Sequence, residues 1–224
     1  MKSISKMLLL ITAVVLFYNA DAQKPFAGYI KYAISYEGEM DAQTKAMSPT
    51  EMKQFISGSK TRIEILTAMA NQYVVSDGGT KEVLIMIDAM GQKFALKSTK
   101  EENEEQMAKM PKTEVKLLDE TKEIVGYKCK KAEVTSTDEE GKESTLTVFY
   151  TTDLAVGDIN WSGQFNGIKG VLMEYSQEAN GVTTTFTASE VKKEKVKDTQ
   201  FTVPADYKIL TKEEAMQMFG GGAE

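Results

Sequence analysis

From Ile30 to Glu37 the chain alternates, with Ile30, Tyr32, Ile34 and Tyr36 set against Lys31, Ala33, Ser35 and Glu37. A period of two over this length predicts a half-buried strand with one wet face. Shorter apolar runs at 61–66, 72–76, 82–87, 93–97 and 113–118 predict further strands, punctuated by Asp77-Gly78-Gly79 and Met90-Gly91. Val83-Leu84-Ile85-Met86-Ile87 is apolar at every position, so something must cover both of its faces. Helices would cover one side, and sheet curvature or a ligand the other.

The second half reads as paired hairpins. Ile124 to Val134 and Leu146 to Thr152 are joined through Asp138-Glu139-Glu140-Gly141, and Asn180-Gly181 joins 171–177 to 182–191. Apolar parity is odd at Val125, Tyr127 and Cys129 and even at Ala132 and Val134, which predicts a β-bulge or a crossing near Lys130-Lys131. Two segments break the β pattern. Ser48-Pro49-Thr50-Glu51 has the form of a capping box, followed by Met52, Phe55 and Ile56 on one helical face, which predicts a helix over 48–57 lying on the sheet. Thr211 to Glu214 opens a second such helix over 211–219, and the acidic run at 100–109 predicts a solvated third. The expected fold is mainly β with α: a strongly curved antiparallel sheet of roughly eight to eleven strands with short plugging helices.

Ile124-Val125-Gly126-Tyr127-Lys128-Cys129-Lys130-Lys131-Ala132, Val148-Phe149-Tyr150-Thr151-Thr152-Asp153-Leu154 and Phe201-Thr202-Val203-Pro204-Ala205-Asp206-Tyr207 carry a family resemblance. They resemble the exported bacterial envelope proteins known as domain of unknown function 4412. That pattern is similar to the lipoprotein-carrier superfamily, so the resemblance implies an incomplete antiparallel barrel, plugged by helices, in the cell envelope. It covers roughly residues 120–210 and includes no catalytic motif.

Lys2, Lys6, the apolar run Met7–Tyr18 and Ala20-Asp21-Ala22 form a secretory signal peptide over 1–22, too short for a helix crossing a bilayer core of about 30 Å. No cysteine stands at the cleavage point, so the expectation is a soluble periplasmic or secreted protein that is not a lipoprotein. Residues 23–219 are expected to form one domain and 220–224 a flexible tail. Removing the signal takes the formal charge from −6 to −7, which gives no generic attraction to nucleic acid. Cys129 is the only cysteine, which leaves no internal disulfide. The chain has no histidine, which removes the Ser-His-Asp and Cys-His nucleophile arrangements and the commonest zinc ligand. Neither a phosphate-binding glycine loop nor a dinucleotide fingerprint is present, and no cofactor or metal is expected.

Two non-enzymatic readings follow. One is binding of an apolar ligand, such as a lipid or lipidated chain, in the concave face of a half-barrel. The other is a structural or protein-interaction module of the envelope with a filled core. The binding surface is expected in the loop from Asp153 to Gly170, where Trp161 and Phe165 sit among four glycines. Trp161, Phe165, Met173, Phe55 and Met52 are the candidate ligand-lining residues. Methionine usage fits either reading, because 11 of 13 methionines remain after signal removal and a flexible thioether suits irregular apolar surfaces. N-terminal sequencing of the exported protein should begin at Gln23; a membrane-bound product retaining Met1 would exclude the signal.

Overall fold

A computed structural model describes residues 24–138 and 141–219. The signal, the final five residues and Glu139-Glu140 of one expected turn lie outside the described residues.

Among the described residues, twelve strands form a single curved, open sheet. In chain order they are β1 (Ala27–Glu37), β2 (Glu51–Ser57), β3 (Lys60–Leu66), β4 (Ala70–Asp77), β5 (Glu82–Ala89), β6 (Gln92–Ser98), β7 (Lys112–Ile124), β8 (Tyr127–Thr137), β9 (Glu143–Thr151), β10 (Val171–Ala179), β11 (Val182–Lys193) and β12 (Lys208–Ile209). Helices α1 (Ala42–Met47), α2 (Lys100–Ala108) and α3 (Lys212–Phe219) complete the fold. The spatial order is β12-β6-β5-β4-β3-β2-β1-β11-β10-β9-β8-β7. It consists of two meanders hinged on β1, which pairs with β2 on one side and β11 on the other. Every pairing is antiparallel except β12 with β6.

The expected helix over 48–57 is a strand. Thr50 accepts a hydrogen bond from the Ile34 amide, and β2 then pairs along β1 from Ala33–Glu51 to Ala27–Ser57. The proposed capping serine instead donates its hydroxyl to the Thr44 carbonyl, closing α1, whose own N-cap is Asp41. Extended pairing satisfies the β2 backbone on both sides, which no isolated short helix can match. The expected strand at 113–118 also runs further, to Ile124. Val125 and Gly126, at φ 51° and 76°, make a two-residue turn there, so the arm read as Ile124–Val134 starts at Tyr127. Both φ values are positive, as a type I′ hairpin turn requires. Asn180 and Gly181 adopt the same form at φ 53° and 74°, as their sequence predicts.

The parity switch is real. Cys129 and Ala132 are both fully buried although they point to opposite faces, and β7 carries its irregularity between Leu117 and Thr121, opposite Lys131. Burial pushes the Cys129 thiol up to about 11, which makes it a packed apolar side chain at neutral pH.

The two faces are covered by different means. On the inner, concave face, Ile30, Tyr32, Ile34, Tyr175 and Phe186 form the main core with Ile159, Phe165 and Ile168 from the loop at 152–170. On the outer face of β3–β6, Val75, Leu84, Met86 and Ala95 lie under Phe201, Val203 and Tyr207 of the C-terminal segment. Arg62 anchors that segment by donating to the Gln200 carbonyl at 3.0 Å. An extended tail therefore covers one face of β5, where a helix was expected. Helix α2 has a full capping box at Thr99 and Glu102 and is tied down: the Asn103 amide donates to the carbonyls of Lys81 and Ser98, and Glu102 pairs with Lys212 of α3 at 2.8 Å.

Phe55 is buried on the outer face, edge-on to Tyr29 at 5.9 Å, with the Lys53 ammonium over both rings. Replacing Phe55 by Ala should lower unfolding free energy by about 3–5 kcal/mol in urea titrations. A loss below about 1 kcal/mol, the scale of a single ring contact, would show that this cluster is not core.

Candidate functional site

The register of the first meander builds an apolar floor. Ile63 pairs with Val74, Val74 with Ile85 and Ile85 with Leu96, so one side chain from each of four adjacent strands falls in a single row. Four strands at a spacing of about 4.8 Å make that row about 14 Å long. The row also continues across Gln54 to Ile30, and so lies on the inner face. Beside it, Ile65, Ile87 and Phe94 extend the floor toward one end of the strands. Ile85 is 37% exposed and the others are half-buried, whereas Leu84 and Met86 on the opposite face are closed under the tail. This is a trough with an apolar floor, incompletely covered among the described residues.

The loop at 152–170 closes the trough at one end. Trp161 lies within it, 3% exposed, its indole N–H donating to Ser76 Oγ at 2.8 Å. The Lys81 ammonium stands 5.0 Å from the indole centroid and pairs with Asp158 at 2.8 Å. Asp158 also pairs with Lys169 at 2.8 Å, and these two ammonium groups, Lys169 first, hold its carboxyl below the usual range. Asn160 fixes the other side of the loop by donating to the carbonyls of Ile168 and Gly170. Phe165 then meets Tyr175 edge-on at 5.2 Å, and Tyr175 stacks on Phe186 at 4.9 Å. Under the loop remains a cavity of about 180 Å³ lined by Gln54, Ile63, Val74, Phe165, Leu172 and Tyr175, among others. At the far side of the floor, Leu96 borders an open groove of about 650 Å³ between α2 and α3, where Met216 is 65% exposed.

Of the five residues singled out from sequence, Phe165 lines this cavity, and Trp161 lies beside it through Ser76. Met52 and Met173 are buried in the core, and Phe55 faces the opposite side of the sheet from Met52 and Phe165. The two loop aromatics are tucked onto the sheet, with Trp161 and Phe165 at 3% and 8% exposure. The floor residues were not singled out individually. Their signal is present in the chain, since Ile63, Val74, Ile85 and Leu96 recur every eleven residues, the period of this meander.

Among the described residues, no group of three or more Cys, Asp or Glu is placed to hold a metal, and no buried side-chain polar atom lacks a partner. No helix there is long and apolar enough to cross a membrane.

Close approach at Gly78 permits the loop to dock: a Cβ there would stand 2.0 Å from the Asp158 carbonyl oxygen. Gly78→Ala should therefore lift the loop, shifting Trp161 emission to the red and costing about 1–3 kcal/mol of stability. Emission unmoved from wild type would mean that the loop is held elsewhere.

No curated protein matches the chain. Among solved structures, the LolA superfamily protein NE2245 from Nitrosomonas europaea is a distant likeness, at 12% identity and a TM-score of 0.37 over 80% of this chain and 90% of that one. A family model described as "N-glycanase peptide, N-terminal domain" matches residues 30–214, a different family from the one its motifs at 124–132, 148–154 and 201–207 resemble. That match runs from within β1 into α3 and takes in the trough, its loop and the covering tail: the chain belongs to the N-glycanase peptide, N-terminal domain family.

Proposed function

We propose that this protein is an exported, non-enzymatic carrier or sensor that binds one extended apolar chain, such as the acyl chain of a lipid or lipidated molecule, in the inner trough. The observation that carries this reading is the cross-strand row Ile63–Val74–Ile85–Leu96. It leaves partly exposed apolar surface on the face that the loop and α2 border. A protein that needed only a filled core would gain by covering those side chains, at about 25 cal/mol for each Å² of apolar surface removed from water. The resemblance of residues 120–210 to an envelope-protein family that is itself similar to the lipoprotein carriers agrees with this reading. In it, the floor takes the chain, Phe165 and Tyr175 meet its end beneath the loop, and Trp161 reports its arrival. Met173, Met52 and Phe55 serve as support.

The chain has no histidine, so no imidazole base is available to the trough. Binding there is accordingly expected to be driven by apolar contact, with little dependence on salt.

The test is titration with fatty acids below their micellar concentration, followed by Trp161 emission and native mass spectrometry. Wild type should bind one chain per molecule. Ile85→Glu, at an exposed position that folding should tolerate, should weaken binding at least about tenfold, or about 1.4 kcal/mol, with thermal stability little changed. Equal binding by both proteins, or none by wild type, would refute the trough and leave a filled interaction module as the reading.

A further inference from the structure

The two ends of the first meander differ in a way that folding does not require. At one end lie the end of α1 with its connection to β2 (Ala46-Met47-Ser48-Pro49-Thr50), the β3–β4 turn with its flanking strand ends (Leu66-Thr67-Ala68-Met69-Ala70) and the β5–β6 turn with its own (Ala89-Met90-Gly91-Gln92). The register places them together. Ala70 pairs with Ala89, and Met47, Pro49, Leu66 and Met69 line one groove of about 330 Å³. These fourteen positions hold no charged residue, in a chain that is 27% charged. The opposite end, at 57–60, 77–82 and 98–100, carries five charges in thirteen positions: Lys60, Asp77, Lys81, Glu82 and Lys100.

The uncharged end also exposes its largest side chains. Met47 is 46% exposed, Leu66 56%, Met69 52% and Met90 86%. Met90 stands at φ 53°, before Gly91 at φ 76°, at a turn position that Asn, Asp or Gly fills at lower cost. A methionine held there, outward and strained, is better explained by what it touches than by the hairpin it closes. Contiguous exposed apolar surface of this kind marks a contact with an apolar phase or partner.

We propose that this rim inserts into the interface of a lipid bilayer and brings the open end of the trough to the membrane. Three separate segments present exposed apolar side chains at one end of the meander, with no charge among them to hold water there. Methionine's unbranched, flexible side chain packs against disordered acyl chains without needing a fixed complement. Among the described residues, the basic side chains directly next to these segments in sequence are Lys45, in the last turn of α1, and Lys93, which pairs with Asp88 and Asp206. The membrane it fits is therefore zwitterionic, and the attachment apolar. The rim joins the trough directly, because Ile65, Ile87 and Phe94 are the floor residues nearest these turns, while the loop and its ion pairs stand at the charged end. Passage of a chain between bilayer and trough rests on the reading of the trough given above; attachment to the bilayer does not.

Flotation of the exported protein with phosphatidylcholine vesicles tests the proposal. Wild type should float with the vesicles, and should still do so at about 1 M sodium chloride, where the Debye length is about 3 Å. The double substitution Met69→Glu, Met90→Glu should reduce the bound fraction at least about tenfold while fatty-acid binding in solution is retained. Ile85→Glu should do the reverse, losing the fatty acid and keeping the vesicle. Wild type left unbound, or bound only at low salt, or a double variant that floats like wild type, overturns the rim. A concentration-dependent dimer that the double substitution abolishes, without vesicle binding, would also overturn it and assign the rim to a second copy.

Discussion

β1 is the constraint on which the remainder depends. Among the described strands it alone belongs to both meanders, pairing locally with β2 and, far along the chain, with β11, where Ile34 meets Phe186. The second pairing closes a loop of more than a hundred residues, an entropic cost that grows only slowly with length but must be met before any later contact stabilises the fold. What offsets it is the burial of Ile30 and Tyr32, both at 0% exposure. The Tyr32 hydroxyl donates to the Leu172 carbonyl at 2.8 Å and lies 3.0 Å from Gln54 Oε1, so one side chain ties β1, β2 and β10 together. Burial raises the Tyr32 hydroxyl well above its ordinary pKa and keeps it a donor.

With β1 fixed, the meanders curve about a common core, and each face of the first meander must find its own cover. The C-terminal segment supplies the outer one and finishes as a parallel strand beside β6. The loop between β9 and β10 supplies part of the inner one: Asp158 and Trp161 meet Lys81 and Ser76 at the charged end, and Ile159 and Phe165 line a cavity with Ile63 and Val74. Beyond that reach Ile85 stays 37% exposed. The apolar composition of β5 is therefore used twice: Leu84 and Met86 for stability under the tail, and Ile85 and Ile87 for the trough.

What the chain determined by itself is what depends on near neighbours. Asn180-Gly181 forces φ > 0 and makes its hairpin, Thr211 and Glu214 cap α3 reciprocally at 3.1 and 2.9 Å, and the alternation from Ile30 reports the two sides of β1. Tertiary structure decided the cases where local signals competed with long-range pairing. Ser48 to Ile56 has a helix's spacing, yet β1 offers a ladder that a single helical turn cannot equal, and β2 took it. Val125 is a poor turn residue, but the pairing of Ile124 with Tyr127 holds it at φ 51°. The trough is of the same kind. Ile63, Val74, Ile85 and Leu96 are ordinary strand residues in sequence. They become one surface because the register of three successive hairpins sets them in line, and the loop from the other meander reaches over Ile63 and Val74 while Ile85 stays exposed.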